Sequence, residues 1–216
     1  MSDIQAAKVP AEATPLRRQP VQQRSAKRVE QMLDASAALI DELGYDALTT
    51  TLIAKRAGVA VGSLYQFFPD KRAVVQALTA RNLERFVGAV NDRLKQLGPE
   101  HWWDVVDSIL DIYLEMHRSV PGFSKVHFGD IIDRQLLDET RDNNAVIVDS
   151  LTDLLASQVD RPVEDLRFAI GIANEVADAL LKLAFRKEPS GDEKIVAEAK
   201  YVVKGYLAAR FGEKQA

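Results

Sequence analysis

Residues 48–71 read LTTTLIAKRAGVAVGSLYQFFPDK, and this stretch decides the fold of the chain. It predicts two short helices joined by a tight turn at Gly58, because a chain leaving a helix there adopts a left-handed conformation that suits glycine. Thr50 is expected to cap the first helix by accepting a backbone N–H bond. The second helix, about Val61 to Phe67, ends before Pro69, which cannot continue the backbone hydrogen bonds. Two helices so arranged form a helix-turn-helix, whose second helix is shaped to enter the DNA major groove.

The rest of the chain predicts further helices and no strands, because apolar residues recur at helical spacing and no segment alternates with period two. The predicted helices outside the helix-turn-helix span about Ser25–Leu43, Asp70–Leu97, Trp102–Arg118, Asp133–Gln158, Pro162–Phe185 and 190–211, with a short piece at Phe123–Phe128. Asp70 is expected to cap the helix that follows it, and Ser190 with Glu193 to form a capping box before the last one.

The predicted fold class is therefore all-α, with about nine helices. Residues 1–23 contain three prolines and few large apolar groups, which predicts a disordered tail. Residues 24–70 are predicted to form a three-helix helix-turn-helix domain, and residues 71–216 a larger helical body.

Charge is unevenly distributed along the chain. The net charge is −4, yet residues 17–72 contain nine Lys or Arg against six Asp or Glu, whereas residues from 73 onward contain 18 against 24. A basic head suits nucleic acid, although a solvated helical surface could produce the same balance. The sequence has no cysteine, which excludes disulfides and Cys-ligated zinc. No apolar run could span a bilayer and no signal-peptide pattern begins the sequence, so we expect a cytoplasmic protein without membrane contact.

Basic residues gather where the tail meets the first helix. They are Arg17, Arg18, Arg24, Lys27 and Arg28. One interpretation is the solvated basic start of a helix. The other is an arm that contacts phosphates or the minor groove of DNA.

The helix-turn-helix block resembles the DNA-binding domain of the TetR (tetracycline-repressor-like) family of transcriptional regulators. That family's signature runs roughly T-x-x-x-I-A-x-x-A-G-V-S-x-G-x-x-Y-x-x-F-x-x-K. The residues that fit it in order are Thr49 or Thr50, Ile53, Ala54, Ala57, Gly58, Val59, Gly62, Tyr65, Phe68 and Lys71. Ala60 departs from the usual serine, which weakens the cap of the second helix by about 1 kcal/mol. The motif covers about residues 24–75, and the helix layout is similar over nearly the whole chain.

The resemblance implies which side chains contact double-stranded DNA. They are Thr50, Thr51, Val61, Gly62, Ser63, Tyr65, Gln66, Phe67 and Lys71. Gln66 is suited to read a base, since its amide can pair bidentately with adenine. Tyr65 and Lys71 are expected to contact phosphates. Core packing is the alternative for the aromatic residues: it is expected for Phe68, and it competes evenly with DNA contact at Phe67.

Dimerisation is expected because one head reads too few base pairs for a unique site. The helix from Pro162 to Phe185 is apolar around most of its circumference, and the last helix adds a second apolar face. By resemblance to the family, the two helices pair with their two-fold mates as a four-helix bundle. The expected interface residues are Ala169, Ala173, Val176, Ala177, Leu180, Leu181, Val203, Tyr206 and Leu207. The alternative is a helix buried inside the monomer.

The body, by the same resemblance, holds a small-molecule effector, and the aromatic density of residues 102–128 suggests a largely apolar or aromatic one. The candidate lining residues are Trp102, Trp103, Tyr113, Met116, His117, Phe123, His127 and Phe128, each of which could instead be core. His117, His127 and Asp130 lack the tight spacing of a metal site, and we expect neither metal nor cofactor. Three aspartates at 104, 107 and 111 share one helical face: a solvated face is expected, and an inward one would favour a cationic ligand.

An enzyme is the main alternative class, and the sequence contains few features that would support catalysis. No Gly-rich phosphate loop, G-x-S-x-G elbow or metal motif occurs. A second alternative is a DNA-organising or adaptor protein that works without a ligand. The sequence therefore predicts a homodimeric regulator, a repressor released from a pseudo-palindromic operator by an effector.

Overall fold

The computed structural model describes residues 23–98, 101–125, 143–156 and 159–212, and within these ranges every regular element is a helix. The helices are α1 (Gln23–Leu43), α2 (Thr50–Ala57), α3 (Val61–Phe67), α4 (Lys71–Leu97), α5 (Trp102–Ser119), α6 (Asn143–Ala156), α7 (Val163–Lys187) and α8 (Glu193–Phe211). The all-α prediction is confirmed. No helix in the described part of the chain is long and apolar enough to cross a bilayer.

The described ranges contain eight helices, where the sequence predicts about nine. The difference arises at the predicted short piece Phe123–Phe128, because residues 121–125 form a turn rather than a helix. The other residues of that piece lie outside the described ranges, as do the predicted tail up to residue 22 and the predicted helix start at Asp133.

The described residues group into two compact units. We call residues 23–85 with 119–125 the head, and the described residues from 86 to 118 and from 143 to 212 the body. Helix α4 contributes its first half to the head and its second half to the body. The predicted domain boundary after residue 70 stays a prediction.

The core of the head is built from the apolar faces of its four helices. Its fully buried members include Met32, Ile40, Leu48, Ile53, Leu64, Phe68, Val74 and Leu78. Burying each such side chain contributes about 1.5–3 kcal/mol, so this core fixes the short helices α2 and α3, which are too short to be stable alone.

Polar contacts connect α4 to α1 and cap the first turn of α4. Arg81, whose side chain is 10% exposed, donates to Glu30 at 2.9 Å and to Asp34 at 2.7 Å. At the start of α4, the Asp70 carboxylate accepts the Ala73 N–H at 2.9 Å, which confirms the predicted cap. Helix α4 is therefore fixed to the head over more than two turns.

The chain returns to the head after α5. Gly122 has φ +75° and lies against the backbone of α1: a Cβ built on it would be 3.0 Å from the Cα and 3.1 Å from the carbonyl oxygen of Ala37. No side chain fits there without moving the backbone. Phe123 follows and is 1% exposed. The turn after α5 is therefore packed into the head.

In the body, α5 contacts three other helices. Its Tyr113 meets Phe86 of α4 edge-on, its His117 stacks on Phe185 of α7 at 3.4 Å, and its Trp102 meets Phe211 of α8 edge-on. Helix α7 packs against both α6 and α8.

The cap of α8 differs from the predicted capping box. Asp192 is the N-cap, and its carboxylate accepts the N–H groups of Lys194 and Ile195. The prediction that Ser190 and Glu193 form the box was wrong, because the helix begins at Glu193 and leaves Ser190 outside it.

Candidate nucleic-acid interface

The N-cap of α2 lies one residue earlier than the sequence predicts. Thr49, in extended conformation, accepts the Leu52 N–H on its hydroxyl at 3.2 Å. Thr50 is the first helical residue, so the prediction that it caps α2 was wrong. Three consecutive threonines all suit a cap, and only the helix start distinguishes them.

The turn between α2 and α3 follows the prediction. Gly58 has φ 68° and ψ 30°, the left-handed conformation. The N–H of Gly58 donates to the Lys55 carbonyl at 3.3 Å, and that of Val59 donates to the Ala54 carbonyl at 3.0 Å. These bonds satisfy the last carbonyls of α2 and fix the direction in which the chain enters α3.

Helix α3 has one buried and one exposed face. Leu64 and Phe67 point into the core of the head, whereas the outward positions are Val61, Gly62, Tyr65 and Gln66, with Ser63 half-buried. Phe67 is 6% exposed, so its inclusion among the DNA contacts is corrected: the spacing Leu64–Phe67 places both side chains on the inner face. Phe68 is fully buried, as predicted. Ala60 is the N-cap of α3, and its side chain makes no capping hydrogen bond.

A pair of hydroxyls connects α2 to α3 on the exposed side. Thr50 Oγ1 lies 3.0 Å from the Tyr65 hydroxyl, and either can be the donor. The Tyr65 side chain stays in part accessible, with the residue 44% exposed. Thr51 is exposed beside Thr50.

Lys71 lies at the start of α4, where the sequence places a phosphate contact. Its Nζ donates to the carbonyls of Tyr45 and Asp46, at 3.2 and 3.3 Å, and lies 4.5 Å from the centre of the Tyr45 ring. An ammonium carries three protons, so these two bonds leave one. Lys71 therefore binds the loop between α1 and α2, a role that the sequence did not suggest, and its phosphate contact stays a prediction.

An exposed ion pair joins the end of α1 to α2. Arg56 binds Glu42 in bidentate geometry, with Nη–Oε distances of 2.8 and 2.7 Å. The hydrogen bonds from Arg56 lower the pKa of the Glu42 carboxyl from its ordinary value, and Glu42 raises the pKa of Arg56 in turn. Water screens this pair, so it guides the packing of α2 more than it stabilises the head.

The effector candidates do not all fall in one unit. Trp102, Trp103, Tyr113, Met116 and His117 lie on α5 in the body, and the two tryptophan rings stack at 4.4 Å. Phe123 lies in the head, buried beside Gly122. His127 and Phe128, and Asp130 of the considered metal set, lie outside the described residues. Among the described residues, no group of three or more His, Asp or Glu side chains is placed to hold a metal ion.

Two of the three aspartates of α5 form ion pairs with another helix. Asp107 pairs with Lys204 and Asp111 with Lys200, both on α8, and the Lys204 Nζ also lies 5.3 Å from the Trp103 ring. Asp104, Asp107 and Asp111 are all half-buried, and the face that they share is covered in part by α8 rather than open to solvent alone. The cationic groups that Asp107 and Asp111 bind are lysines of α8.

The residues predicted for the dimer interface divide in two groups. Ala169, Ala173, Leu181, Val203 and Leu207 are buried within the protomer, so they contribute to its own core. Val176, Ala177, Leu180 and Tyr206 are half-buried. Outside that predicted set, the two helices expose further large apolar side chains: Val163 at 56%, Phe168 at 62% and Ile172 at 40% on α7, and Tyr201 at 74% on α8. A pattern that is apolar all round cannot tell which side faces the protomer's own core.

Comparisons with known proteins cover both units. The family described as "Bacterial regulatory proteins, tetR family" matches residues 32–78, and the one described as "Tetracyclin repressor-like, C-terminal domain" matches residues 100–211. The crystal structure of a TetR-family transcriptional regulator from Streptomyces coelicolor has a TM-score of 0.74 and 42% identity, over 84% of this chain and 98% of that one.

Two curated relatives match shorter stretches. The transcriptional repressor KstR of Rhodococcus jostii is 42% identical over 59 residues, which is 27% of this chain and 28% of KstR. The nucleoid occlusion factor SlmA of Actinobacillus pleuropneumoniae is 30% identical over 104 residues, which is 48% of this chain and 50% of SlmA. The matched stretches thus span half or less of these relatives.

Proposed function

This chain belongs to the TetR family of bacterial transcriptional regulators, and from that premise we propose that it is a homodimeric, sequence-specific DNA-binding repressor. In this proposal it acts in the cytoplasm on a pseudo-palindromic operator and leaves it when a small molecule binds the body. The observation that carries the proposal is the exposed face of α3, held by a complete helix-turn-helix. The similarity to the repressor KstR supports the sign of regulation.

The outward side chains of α3 suit the two tasks of DNA recognition. Gln66 is exposed and can pair with an adenine edge in the major groove, and Val61 can contact a thymine methyl. Gly62 has no side chain, and nothing of the protein lies within 4 Å of the position that a Cβ would occupy. The backbone of α3 is therefore open to a close approach of the bases at this point. The Tyr65 hydroxyl lies beside this face, next to that of Thr50, and suits a phosphate oxygen; contacts to phosphates fix the register of the protein on the duplex.

The dimer in this proposal forms through α7 and α8. Phe168 and Ile172 are four residues apart and lie on one face of α7. On α8, exposed Tyr201 is flanked at helical spacing by the small residues Ala197 and Gly205, which let a second helix come close. A face of this kind favours association with a two-fold mate.

The dimer can be tested by charge substitution. Phe168→Glu is expected to convert the dimer to a monomer in sedimentation velocity, because a carboxylate at the centre of an apolar interface loses its hydration. The control is Val163→Glu, an apolar residue 56% exposed in the first turn of the same helix. A wild-type monomer, or equal behaviour of both variants, would contradict the proposed interface.

Effector release is proposed to act through α4, which contributes to both units. A ligand that prefers one body conformation shifts the heads away from the spacing of successive major grooves. Coupling of about 1–3 kcal/mol would lower DNA affinity about 5–150-fold. The aromatic side chains of α5 support a largely apolar or aromatic effector.

A DNA-organising protein that works without ligand is the second candidate, and the similarity to the nucleoid occlusion factor SlmA supports it. A catalytic function has no such support, since the relatives described above are transcriptional regulators and a nucleoid occlusion factor.

The deciding experiment is selection of random duplex DNA by the purified protein at a stated salt concentration. The repressor proposal expects a short two-fold-symmetric site, followed by a compound that lowers affinity and leaves the selected sequence unchanged. A symmetric site whose affinity no compound changes would favour the DNA-organising candidate. Enrichment of no site, at low and at moderate salt, would refute both.

A further inference from the structure

We propose that Thr50 is a positioning residue for DNA binding, which acts through the Tyr65 hydroxyl rather than by contacting DNA itself. This inference rests on the proposed function. It departs from the expectation that Thr50 contacts a phosphate directly.

The helix start leaves the Thr50 hydroxyl available for this role. Thr49 already accepts the Leu52 N–H, so the capping task at α2 is filled by its neighbour. A threonine inside a helix can donate to the carbonyl three or four residues before it. Thr50 is the first residue of α2, and no helical turn precedes it to supply that carbonyl. Its Oγ1 lies instead 3.0 Å from the hydroxyl of Tyr65, fifteen positions along the chain.

The bond connects two helices on the side away from their core. Leu64 and Phe67 fix the inner face of α3, but nothing caps its start, since Ala60 has no side-chain oxygen. The hydroxyl pair is therefore a second point of attachment between α2 and α3, on the exposed side. This bond restricts the direction of the Tyr65 ring, which could otherwise adopt several rotamers at its half-exposed position.

The proton count of the pair predicts what it offers to DNA. Each hydroxyl has one proton and two acceptor lone pairs, and their mutual bond uses one proton. When Thr50 donates to Tyr65, the phenolic proton remains for a phosphate oxygen. Each bond in such a chain polarises the next, which strengthens the donor that faces the phosphate.

A double-mutant cycle in the full-length protein tests the inference. The variants are Thr50→Val, which keeps the β-branched shape and removes the hydroxyl, Tyr65→Phe, and both together. The readout is the dissociation constant for the selected operator at fixed salt, with folding of each variant checked by circular dichroism. Thr50→Val is expected to weaken binding roughly 3- to 10-fold for each half-site, the value of one neutral hydrogen bond, and by the square of that factor for the dimer on its full operator. In the Tyr65→Phe background the same change is expected to have no further effect.

Two additional variants make the result specific. Thr50→Ser, which restores the hydroxyl, is expected to recover most of the lost affinity. Thr51→Val removes the hydroxyl of the adjacent, exposed threonine, whereas the hydroxyl that lies 3.0 Å from that of Tyr65 is the one of Thr50; the effect of Thr51→Val should therefore add to that of Tyr65→Phe. The salt dependence should stay the same in Thr50→Val, since no charged phosphate contact is lost.

The outcomes separate this inference from the proposed function. Losses that add between Thr50→Val and Tyr65→Phe would mean that Thr50 contacts DNA independently, and would overturn the inference. Full affinity in Thr50→Val would overturn it as well. Both results leave specific binding by the wild type intact, whereas failure of the proposed function appears in the wild type itself.

Discussion

Replacing Gly122 by alanine is expected to destabilise the head by more than its backbone conformation explains. A matched control exists in Gly44, which lies in the same unit with φ +78° against +75° for Gly122. A Cβ at Gly44 would have nothing within 4 Å, whereas a Cβ at Gly122 would meet the backbone of Ala37 at 3.0 Å. The two substitutions therefore share the conformational cost and differ in the steric one.

The magnitudes follow from these two costs. The left-handed conformation costs an alanine about 1–2 kcal/mol, which applies to Gly44→Ala and Gly122→Ala alike. Forcing a methyl group against backbone that cannot rotate away adds about 1–3 kcal/mol at Gly122. For a chain of this size, 1 kcal/mol corresponds to roughly 2–4 °C in Tm. Gly122→Ala should thus melt about 2–12 °C below Gly44→Ala.

The assay is thermal unfolding by circular dichroism at one protein concentration, because a dimer's Tm depends on concentration. Native-state hydrogen exchange supplies a local readout: the amides of α1 around Ala37 should exchange faster in Gly122→Ala than in Gly44→Ala. Equal Tm values and equal exchange in the two variants would refute the contact between the turn after α5 and α1.

Three further predictions concern the helix-turn-helix. Gln66→Ala should cost about 1–3 kcal/mol at one base position of the selected site, and an unchanged site preference would remove Gln66 as a base reader. Ala60→Ser should raise the free energy of unfolding by about 0.5–1 kcal/mol in denaturant titration, because Ala60 already has the extended conformation of an N-cap and lacks only the oxygen. Since Arg56 lowers the pKa of Glu42 from 4.5, their pair stabilises the head above that pH and loses its effect as pH falls through the lowered value. The stability difference between wild type and Glu42→Gln should therefore be constant near pH 7 and shrink below pH 4.5; a difference that grows on acidification would contradict the assignment.

The sequence predicted the elements well and their contacts less well, for physical reasons. Gly58 and Asp70 were predicted correctly because a left-handed turn and a helix cap are local requirements of a few residues. Thr49 and Asp192 were missed in favour of residues nearby, since several adjacent side chains could satisfy the same cap.

Contacts between distant residues gave no local signal. Nothing in the pattern around Arg81 predicts the carboxylates of α1, and Lys71 fits both a phosphate and the carbonyls that it binds in the structure. The apolar circumference of α7 predicted that two faces are covered, but only the packing of the protomer distinguishes buried Ala173 from exposed Phe168.

The head is not one continuous stretch of chain, and this matters for anyone who exchanges reading heads between regulators. A chimera that joins a foreign head to this body after residue 85 would retain residues 119–125 from the original protein, without the α1 surface that accepts Gly122. The foreign α1 would need a residue as small as Ala37 at that point, or the graft would need to carry both segments. A chimera with a single junction along the gene would therefore lack the contact between residue 122 and α1, and its head would pack poorly. A chimera designed on the structure would transfer residues 119–125 together with the helix-turn-helix.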